Sequence, residues 1–416
     1  MRHVLIVSYY FPPIGGIGSI RMARFAECLP EFGWEPTIIA PSDTPHAPDP
    51  HLSFPREKVV RSRSIELARL GGAGRPAASS PPVQSSGDRR LALRSLARSA
   101  AHRYVYYPDA QIGWYPGAVR AGLRVLRDTR FDAVFSSSNP ITAHLVARTL
   151  ARKARVPWVA EFRDPWADRL PPDHVHHRRA ARLQRSLVTA AEAVVVPTPT
   201  MATHLSAQWG RDVALIPNGH DVEQPVSGRP AQPTLTYVGS FYPGRQDLSG
   251  VLAAIRRLEA SLPACAPRLR FVGDMPAELR AEVVAAGLEK RVEVTGFLPL
   301  EQAMAAMADS SMLLACGFAG TDPLSLGVIP AKVFEYLASG LPILYVGNPA
   351  DDAARLLAEQ PGCHIVRPSD VDAILVALRA GLEDPLEPRD TDQFSRRART
   401  RQLAEVLDAA SSVSRP

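Results

Sequence analysis

A lysine and a glutamate, Lys332 and Glu335, stand three residues apart in the segment IPAKVFEYLASGLPI. Pro330 suits the first position of a helix, where its missing N–H costs nothing, and Gly340 with Pro342 is typical of a helix end. Side chains three residues apart on a helix are neighbours, so this lysine and this glutamate can reach one ligand together.

The chemistry that this pair suits is the binding of a phosphorylated ligand. The first turn of a helix presents unpaired N–H groups and the positive end of the helix dipole, so a lysine there is locally unfavourable. A phosphate reverses that cost, because the N–H groups and the ammonium of Lys332 both attract it. Glu335 can accept hydrogen bonds from the two hydroxyls of a ribose. The alternative is an amphipathic helix with an ordinary surface ion pair, whose buried side is Val333, Phe334 and Leu337.

Composition bounds the class of protein. The chain has 416 residues, of which 46% are hydrophobic and 22% are charged, so it can form two domain cores. A formal net charge of +6 fits an anionic small molecule, an anionic lipid or a nucleic acid. The four cysteines lack metal-binding or disulfide spacing, the start lacks a signal peptide, and no apolar run approaches the roughly 18 residues of a membrane helix. These features predict a cytoplasmic protein, either free or peripheral on the inner membrane face.

The N-terminal segments have the order of a doubly wound α/β domain. An apolar strand over residues 3–10 leads into the loop FPPIGGIGS, a helix from about Ile20 and a second strand over residues 34–40. Gly15 and Gly16 lie at the carboxyl end of the first strand, where glycine lets the backbone approach a ligand closely. A simple turn without a ligand is the alternative.

Polar residues follow two further strands. The strand over residues 158–162 ends in RDPW and delivers Arg163 and Asp164, and the strand over residues 131–135 is followed by SSSNP with Asn139. Parallel sheets bind ligands at the carboxyl ends of their strands, so these side chains are candidates for ligand contact. An ion pair that fixes the following loop is the alternative for the arginine and the aspartate.

Metal binding is not predicted. His174, His176 and His177 lie near Asp173, but their spacing is not that of a known ligand set.

A low-complexity insertion interrupts the N-terminal domain. Residues 71–88 are rich in Gly, Pro and Ser, and the segment 89–103 repeats arginine every fourth residue beside an apolar side. Such a basic amphipathic helix can lie on an anionic membrane surface, or it can be a solvated outer helix.

The pattern of strands and glycines restarts after a polar linker. Residues 225–390 read as a second α/β domain, residues 1–220 as the first, and residues 391–416 as a final helix that can pack back on the first domain. The predicted fold class is therefore α/β with two doubly wound, Rossmann-like domains. Because each domain presents the carboxyl ends of its strands, we expect them to face across a cleft that holds the ligand.

Six motifs together resemble the GT-B glycosyltransferases, and most closely the retaining glycosyltransferase family 4, also called glycosyl transferases group 1. They span the chain in the order of that family: FPPIGGIGSIR, RDPW, IPNGHD, YVGSFYPGR, GFLPLEQ and IPAKVFEYLASGLPI.

The resemblance implies that the second domain binds a nucleoside diphosphate sugar. Gly239 matches the glycine after its first strand, and Ser240 and Arg245 occupy the positions of the basic pair that clamps the diphosphate. Glu335 matches the glutamate that binds the ribose. The partner glutamate of the family is replaced by Gly327.

Two hypotheses address these departures: Lys332 replaces the missing basic residue, and Asp322 replaces the missing carboxylate. The resemblance also implies that the base lies near Gly296 and Phe297. On the acceptor and phosphate side, it implies contributions from the first domain, namely Gly15, Gly16, Arg21, Asn139 and Arg163.

The implied activity is transfer of the sugar to a hydroxyl acceptor, with retention and without metal, in the synthesis of a polysaccharide, glycolipid or other glycoconjugate. Arg245 and Lys332 would stabilise the leaving diphosphate, and Asp164 would assist the acceptor hydroxyl. No cofactor is implied besides the sugar nucleotide itself. The basic insertion favours a lipid-linked acceptor and contact with an anionic membrane, and no nucleic-acid partner is predicted.

Two other functions are compatible with the sequence. A non-hydrolysing 2-epimerase would use the same kind of nucleotide sugar without an acceptor. A catalytically silent protein that binds a sugar nucleotide or a glycan would explain the loss of one glutamate.

Overall fold

The computed structural model describes residues 1–42, 44, 48–49, 52–65, 107–222, 226, 228, 230–383, 386 and 389–413. The predicted insertion and basic helix at 71–103 lie outside the described residues. The chain divides into an N-terminal unit, which comprises Met1–Pro197, Leu205–Ile216 and Arg399–Pro416, and a C-terminal unit, which comprises Thr198–His204 and Pro217–Ala398.

The N-terminal unit is built on a parallel sheet of seven strands in the order β3-β2-β1-β4-β5-β6-β7. The strands are β1 Arg2–Val7, β2 Trp34–Pro41, β3 Val59–Ser62, β4 Ala133–Ser138, β5 Trp158–Phe162, β6 Ala193–Val196 and β7 Ala214–Leu215. Its helices are α1 Ile17–Cys28, α2 Tyr115–Asp128, α3 Thr142–Ala154 and α4 His177–Ala190, followed by α5 Pro199–Trp209, which spans the boundary between the units.

The C-terminal unit has a parallel sheet of six strands in the order β10-β9-β8-β11-β12-β13. The strands are β8 Thr234–Val238, β9 Arg268–Val272, β10 Val292–Gly296, β11 Met312–Cys316, β12 Ile343–Val346 and β13 Cys363–Val366. The helices are α6 Ser249–Ser261, α7 Ala277–Ala285, α8 Leu300–Ala308, α9 Pro323–Leu326, α10 Lys332–Ser339, α11 Asp352–Ala358, α12 Val371–Glu383 and α13 Arg396–Val413, whose last part belongs to the N-terminal unit.

Short 3₁₀ turns complete the described elements, at Leu29–Phe32, Arg56–Lys58, Ile112–Trp114, Ala167–Arg169, Glu289–Arg291 and Asp392–Phe394. No helix among the described residues combines the length and apolar character that crossing a membrane requires.

Both sheets have the doubly wound topology that the segment order predicts. In each, the strand order runs outward from the first strand, returns to its other side with the fourth, and continues outward. Such strands are covered by helices on both faces, which explains why Val4 to Val7 form an unbroken apolar run and are all fully buried. In both units the strand order reverses beside the first strand. This position is called the topological switch point, and it is where ligands bind in such sheets.

The bounds of several elements differ from the sequence expectation. β1 ends at Val7 rather than Tyr10, because the hydroxyl of Ser8 donates to the carbonyl of Tyr10 and the chain turns there. α10 begins at Lys332 rather than Pro330, whose carbonyl instead accepts the N–H of Val333.

Residues 198–204 lie in the C-terminal unit, although the sequence predicts one domain over 1–220. The physical reason is a side-chain cap: Asp352 accepts the backbone N–H of Thr200 at 2.8 Å and its hydroxyl at 2.7 Å.

α13 completes the core of the N-terminal unit. Leu403 and Leu407 are fully buried in the same cluster as Phe25 and Trp34. The indole N–H of Trp34 also donates to Asp408 at 2.7 Å. The C-terminal helix is therefore a structural part of the unit that the first residues begin.

Candidate active site

The switch point of the C-terminal unit lies between β8 and β11, and glycines shape it. Gly239 follows β8 with a φ of 104°, and Gly273 follows β9 with a φ of 142°. A Cβ on Gly273 would lie 2.6 Å from the carbonyl oxygen of Gly239, closer than any side chain tolerates. Gly273 must therefore lack a side chain for the backbone to pass at this distance, and the positive φ of Gly239 also favours glycine.

Lys332, the first residue of α10, brings its side chain to this switch point. Its Nζ is buried, has no hydrogen-bond partner among the described residues, and lies 3.5 Å from the ring centroid of Tyr237. A Cβ on Gly239 would be 3.8 Å from that Nζ. An ammonium group offers three donors, so a buried one without a partner is costly unless a ligand accepts from it.

The surroundings of this lysine weaken its positive charge. Burial lowers the pKa of Lys332 to about 7, against smaller raising effects of Cys316 and Glu335. Burial also raises the pKa of the Cys316 thiol to about 12, so the thiol stays protonated and supplies no counter-charge at neutral pH. The Tyr336 hydroxyl, which accepts the N–H of Val238 at 2.9 Å, likewise has a pKa raised by burial. Of these neighbours, only the Glu335 carboxylate supplies negative charge to Lys332 at neutral pH, and it makes no hydrogen bond to the ammonium.

The amides at the start of α10 are less available than the sequence suggests. The N–H of Val333 donates to Pro330 at 3.0 Å, and that of Phe334 donates to Ala331 at 3.1 Å. The prediction of several bare amides is wrong for these two, because the first turn is tightened by 3₁₀-type bonds. The ammonium of Lys332 therefore carries more of any anion binding than the backbone does.

Glu335, one turn further along α10, is held by an arginine that is distant in sequence. Nη2 of Arg396 donates to Oε1 of Glu335 at 3.0 Å, while Nη1 donates to Asp221 at 2.6 Å. Arg396 is only 7% exposed, whereas the side chain of Glu335 keeps 20% exposure. The carboxylate thus has a fixed orientation and still reaches solvent.

Other predicted donor-site residues line the same edge of the sheet with exposed side chains. Ser240 and Arg245 are exposed, and the Arg245 guanidinium lies 4.7 Å from the ring centroid of Phe318. Gly296 ends β10, and Phe297, directly after it, is 82% exposed. An exposed aromatic ring at the carboxyl end of a strand offers a flat surface for stacking.

Asp322 has a structural explanation instead. It accepts from the N–H groups of Leu324 and Ser325 and from the Ser325 hydroxyl at 2.6 Å. These hydrogen bonds, led by that of the hydroxyl, lower the pKa of the Asp322 carboxyl. The side chain caps α9, and its proposed replacement of the missing glutamate has no geometric support.

The switch point of the N-terminal unit, between β1 and β4, also carries a cation at a helix start. Arg163 donates through Nε to the carbonyl of Ser138 at 2.7 Å, and its Nη1 would lie 1.9 Å from a Cβ on Gly18, in the first turn of α1. Asn139 donates to Asp164 at 3.5 Å. The structure thus groups three predicted residues: Asn139, Arg163 and Asp164.

The predicted glycines of this unit lie at the same edge of its sheet. Gly16 caps α1 with a φ of 102°, and a Cβ there would meet nothing within 4 Å. A Cβ on its neighbour Gly15 would lie 3.3 Å from Cβ of Asp49. Close approach of a ligand to the backbone is therefore possible at Gly16.

Arg21 lies in the core and not at a ligand surface. It is 4% exposed, and its guanidinium donates to Glu161 at 2.7 and 2.9 Å and to the carbonyl of Ile216 at 2.7 Å. This corrects the sequence interpretation: Arg21 neutralises a carboxylate that β5 buries completely. The lone Glu161 inside the apolar strand WVAEF was the signal that a buried cation must accompany it.

Among the described residues, no group of three or more His, Cys, Asp or Glu side chains could hold a metal ion. Of the three clustered histidines, His177 instead hydrogen-bonds the carbonyl of Leu170 at 2.9 Å.

The sequence analysis did not predict three residues of this site. Tyr237 covers Lys332, and Tyr336 binds the end of β8. Arg396 orients Glu335. The first two sit in ordinary core patterns, and Arg396 lies 61 residues from its partner, so no local pattern indicated them.

Two doubly wound units define a GT-B fold, and in the C-terminal unit the ammonium at the switch point has no hydrogen-bond partner among the residues that the structure describes. The family models agree: residues 15–219 match the glycosyl transferase 4-like domain, and residues 232–384 match glycosyl transferases group 1. The chain belongs to this family of glycosyltransferases and is an enzyme of that class.

Solved structures share the fold at low sequence identity. Sucrose-phosphate synthase from Thermosynechococcus elongatus superposes with a TM-score of 0.60 at 15% identity, covering 99% of this chain and 97% of that one. HepE from Anabaena, in complex with UDP, superposes with a TM-score of 0.54 at 16% identity, covering 99% of this chain and 98% of that one. WaaG, a glycosyltransferase involved in lipopolysaccharide biosynthesis, superposes with a TM-score of 0.55 at 14% identity, covering 99% of both chains. A comparison with curated protein sequences returns no match.

Proposed function

We propose that this enzyme transfers a sugar from a nucleoside diphosphate sugar to a hydroxyl acceptor, with retention at the sugar and without a metal ion. The product would be a polysaccharide, a glycolipid or another glycoconjugate. The observation that carries this proposal is the buried ammonium of Lys332, which has no hydrogen-bond partner among the described residues and lies beside Gly239 at the switch point.

The diphosphate binds between the Gly239 turn and the first residue of α10. Lys332 donates to one phosphate from the buried side, and Arg245 contacts the diphosphate from the exposed side. Arg245 suits this task because it is exposed on the loop that follows Gly239. A guanidinium can also bind phosphate through two parallel hydrogen bonds.

The ribose is bound by Glu335 and the base by the end of β10. Oε1 of Glu335 is occupied by Arg396, which leaves Oε2 to accept from the ribose hydroxyls. Phe297 offers its exposed ring to the base. A fold neighbour, HepE, is described in complex with UDP and with UDP-glucose, so uridine nucleotides are the first ligands to test.

Catalysis depends on charge that develops as the donor bond breaks. The departing nucleoside diphosphate gains negative charge, which Lys332 and Arg245 stabilise more strongly in the transition state than in the ground state. Two cations can do this without a divalent ion. In the N-terminal unit, Asp164 assists the acceptor hydroxyl, and Asn139, Arg163, Gly15 and Gly16 contact the acceptor or the phosphates.

The decisive test is nucleotide binding by isothermal titration calorimetry in the presence of a chelator. UDP-, GDP- and dTDP-sugars are titrated into the parent enzyme, Lys332→Met and a matched control, Lys290→Met, whose lysine is exposed in the same unit. We expect one nucleotide class to bind the parent and the control equally, and Lys332→Met to bind it about 10- to 100-fold more weakly. Equal binding by all three proteins would contradict the proposal.

The bound donor is then incubated with enzyme, and its products are followed by NMR. Release of the nucleoside diphosphate and retention at the anomeric carbon support a retaining transferase. Isomerisation of the intact donor would instead identify an epimerase.

A further inference from the structure

Three neighbouring helices of the N-terminal unit carry the same arrangement of arginines. The arginines recur at positions i, i+4 and i+7, which places each set along one side of its helix. We name these nine residues the arginine face: Arg120, Arg124 and Arg127 on α2; Arg148, Arg152 and Arg155 on or directly after α3; and Arg178, Arg182 and Arg185 on α4.

The three helices form one layer. α3 packs against both α2 and α4, and the contacts include hydrogen bonds from Tyr115 to Thr149 at 2.9 Å and from Arg148 to Ser186 at 3.3 Å. Eight of the nine arginines are exposed, and Arg148 is half-buried. Because their sides of the helices face solvent together, the nine guanidinium groups form a broad surface rather than a single strip.

These helices carry almost no negative charge to balance their arginines. Asp128 is the one carboxylate in the sequences of α2, α3 and α4, and none of the nine arginines has an ion-pair partner among the described residues. Like charges four residues apart on a helix repel each other. A solvated outer helix ordinarily avoids this by alternating acids with bases.

The helix dipole accounts for part of the pattern only. Arg127, Arg152 and Arg155 lie at helix C-termini, where a cation is favourable. Arg178 lies in the first turn of α4, which has no acidic residue, so the dipole opposes its charge. The dipole therefore leaves most of the arginine face unexplained.

The arginine face carries nine positive charges, which is more than the net charge of the whole protein. The formal net charge is +6, so the residues other than these nine arginines sum to −3.

We propose that the arginine face binds the surface of a membrane that contains anionic lipids. A layer of three helices presents its charges across two dimensions, as a bilayer presents its headgroups, whereas nucleic-acid recognition uses a groove, an inserted helix or aromatic stacking. Guanidinium groups bind lipid phosphates through paired hydrogen bonds. This proposal is independent of the donor chemistry in the C-terminal unit.

Vesicle co-sedimentation of the full chain tests the proposal. The test variant combines Arg124→Gln, Arg152→Gln and Arg182→Gln, the central arginine of each helix. The control variant combines Arg256→Gln, Arg280→Gln and Arg379→Gln, three exposed helical arginines of the C-terminal unit. Each variant loses three charges, and circular dichroism melting verifies that both are folded.

We expect the parent and the control variant to bind vesicles containing phosphatidylglycerol, and the test variant to partition about 100-fold more weakly, because each of the three lost arginines contributes about fivefold. Binding should fall steeply as salt is raised from about 0.1 M to about 0.5 M and be absent with phosphatidylcholine alone. The proposal is overturned if the test variant binds like the parent, which would assign membrane binding elsewhere in the chain. It is also overturned if duplex DNA binds the parent while anionic vesicles do not.

Discussion

At the scale of single residues, Lys332 shows a conflict between stability and function. Its ammonium is buried without a hydrogen-bond partner among the described residues, so the protein loses solvation energy on folding and regains it only when an anion binds. Functional sites commonly hold such groups, because a group already satisfied by the protein has nothing to offer a ligand.

Replacing this lysine should stabilise the free protein. The pKa of Lys332 falls from 10.5 to about 7 on folding, so between those values the unfolded state binds more protons and stability rises with pH. We expect Lys332→Met to increase the free energy of unfolding by about 2 kcal/mol or more near pH 7, and by much less near pH 10. Urea unfolding at both pH values measures this, and a loss of stability near pH 7 would contradict it.

The same titration should govern nucleotide affinity. The ammonium form attracts the diphosphate and the neutral amine does not, so binding weakens as pH rises through the pKa of Lys332, about 7. Between about pH 7 and pH 9 the dissociation constant of the parent should rise by up to tenfold per unit, because the phosphates are already ionised there. Lys332→Met should show no such slope in calorimetry. Parallel slopes for the two proteins would assign the titration to another group.

At the scale of elements, two connecting segments fix the carboxylate of Glu335, which we propose binds the ribose. The N–H of His220 donates to Phe394 at 3.1 Å, and the N–H of Arg396 donates back to His220 at 2.9 Å. Arg396 then orients Glu335 through its side chain. The segment at the start of α13 therefore orients a side chain of α10.

Arg396→Met tests this positioning role. We expect the affinity for UDP to fall about tenfold, whereas that for 2′-deoxy-UDP, which lacks one hydroxyl for Glu335 to accept from, should fall less. Arg397→Met is the matched control, because it changes the next residue of the same helix. Equal losses for both nucleotides would show that Arg396 supports the fold generally and does not act through Glu335.

The glycine after β9 allows a second test at this scale. Because a Cβ on Gly273 would lie 2.6 Å from the Gly239 carbonyl, Gly273→Ala should displace the turn beside Lys332 and cost about 1–3 kcal/mol. Gly287→Ala is the control, since Gly287 also has a positive φ, 69°, but a Cβ there meets nothing within 4 Å. The first variant should lose nucleotide affinity and the second should keep it, and retained affinity in both would show that the turn can move without consequence.

At the scale of the whole molecule, the C-terminal segment of the chain belongs to the N-terminal unit. α13 places Leu407 in the core that β1 and α1 begin, whereas Lys332 and Glu335, which we propose bind the nucleotide, belong to the C-terminal unit. This core is therefore separate from the residues that we propose bind the donor.

Leu407→Ala should separate the two properties. The cavity left by a fully buried leucine costs about 2–5 kcal/mol, which thermal unfolding detects as a lower melting temperature. The dissociation constant of the nucleotide should stay that of the parent at a temperature where the variant is folded. A large change in affinity would mean that the core of the N-terminal unit shapes the donor site.

The sequence by itself determined those features that depend on neighbours along the chain. The unbroken apolar run of β1 predicted a strand buried on both faces, and Gly340 predicted the end of α10, where it adopts the left-handed conformation. The buried side of that helix, Val333, Phe334 and Leu337, follows from helical spacing. Both doubly wound sheets follow from the alternation of strands and helices, because right-handed crossovers leave few other arrangements.

Only the tertiary structure decided which distant residues meet. Arg21 pairs with Glu161 across 140 residues, Arg396 pairs with Glu335 across 61, and Tyr237 covers Lys332. These contacts are set by strand order and by the closing of α13 onto the fold, which local periodicity does not encode. Whether an ammonium is buried without a hydrogen-bond partner depends on everything packed around it, so the feature that carries the proposed function appears only once the chain has folded.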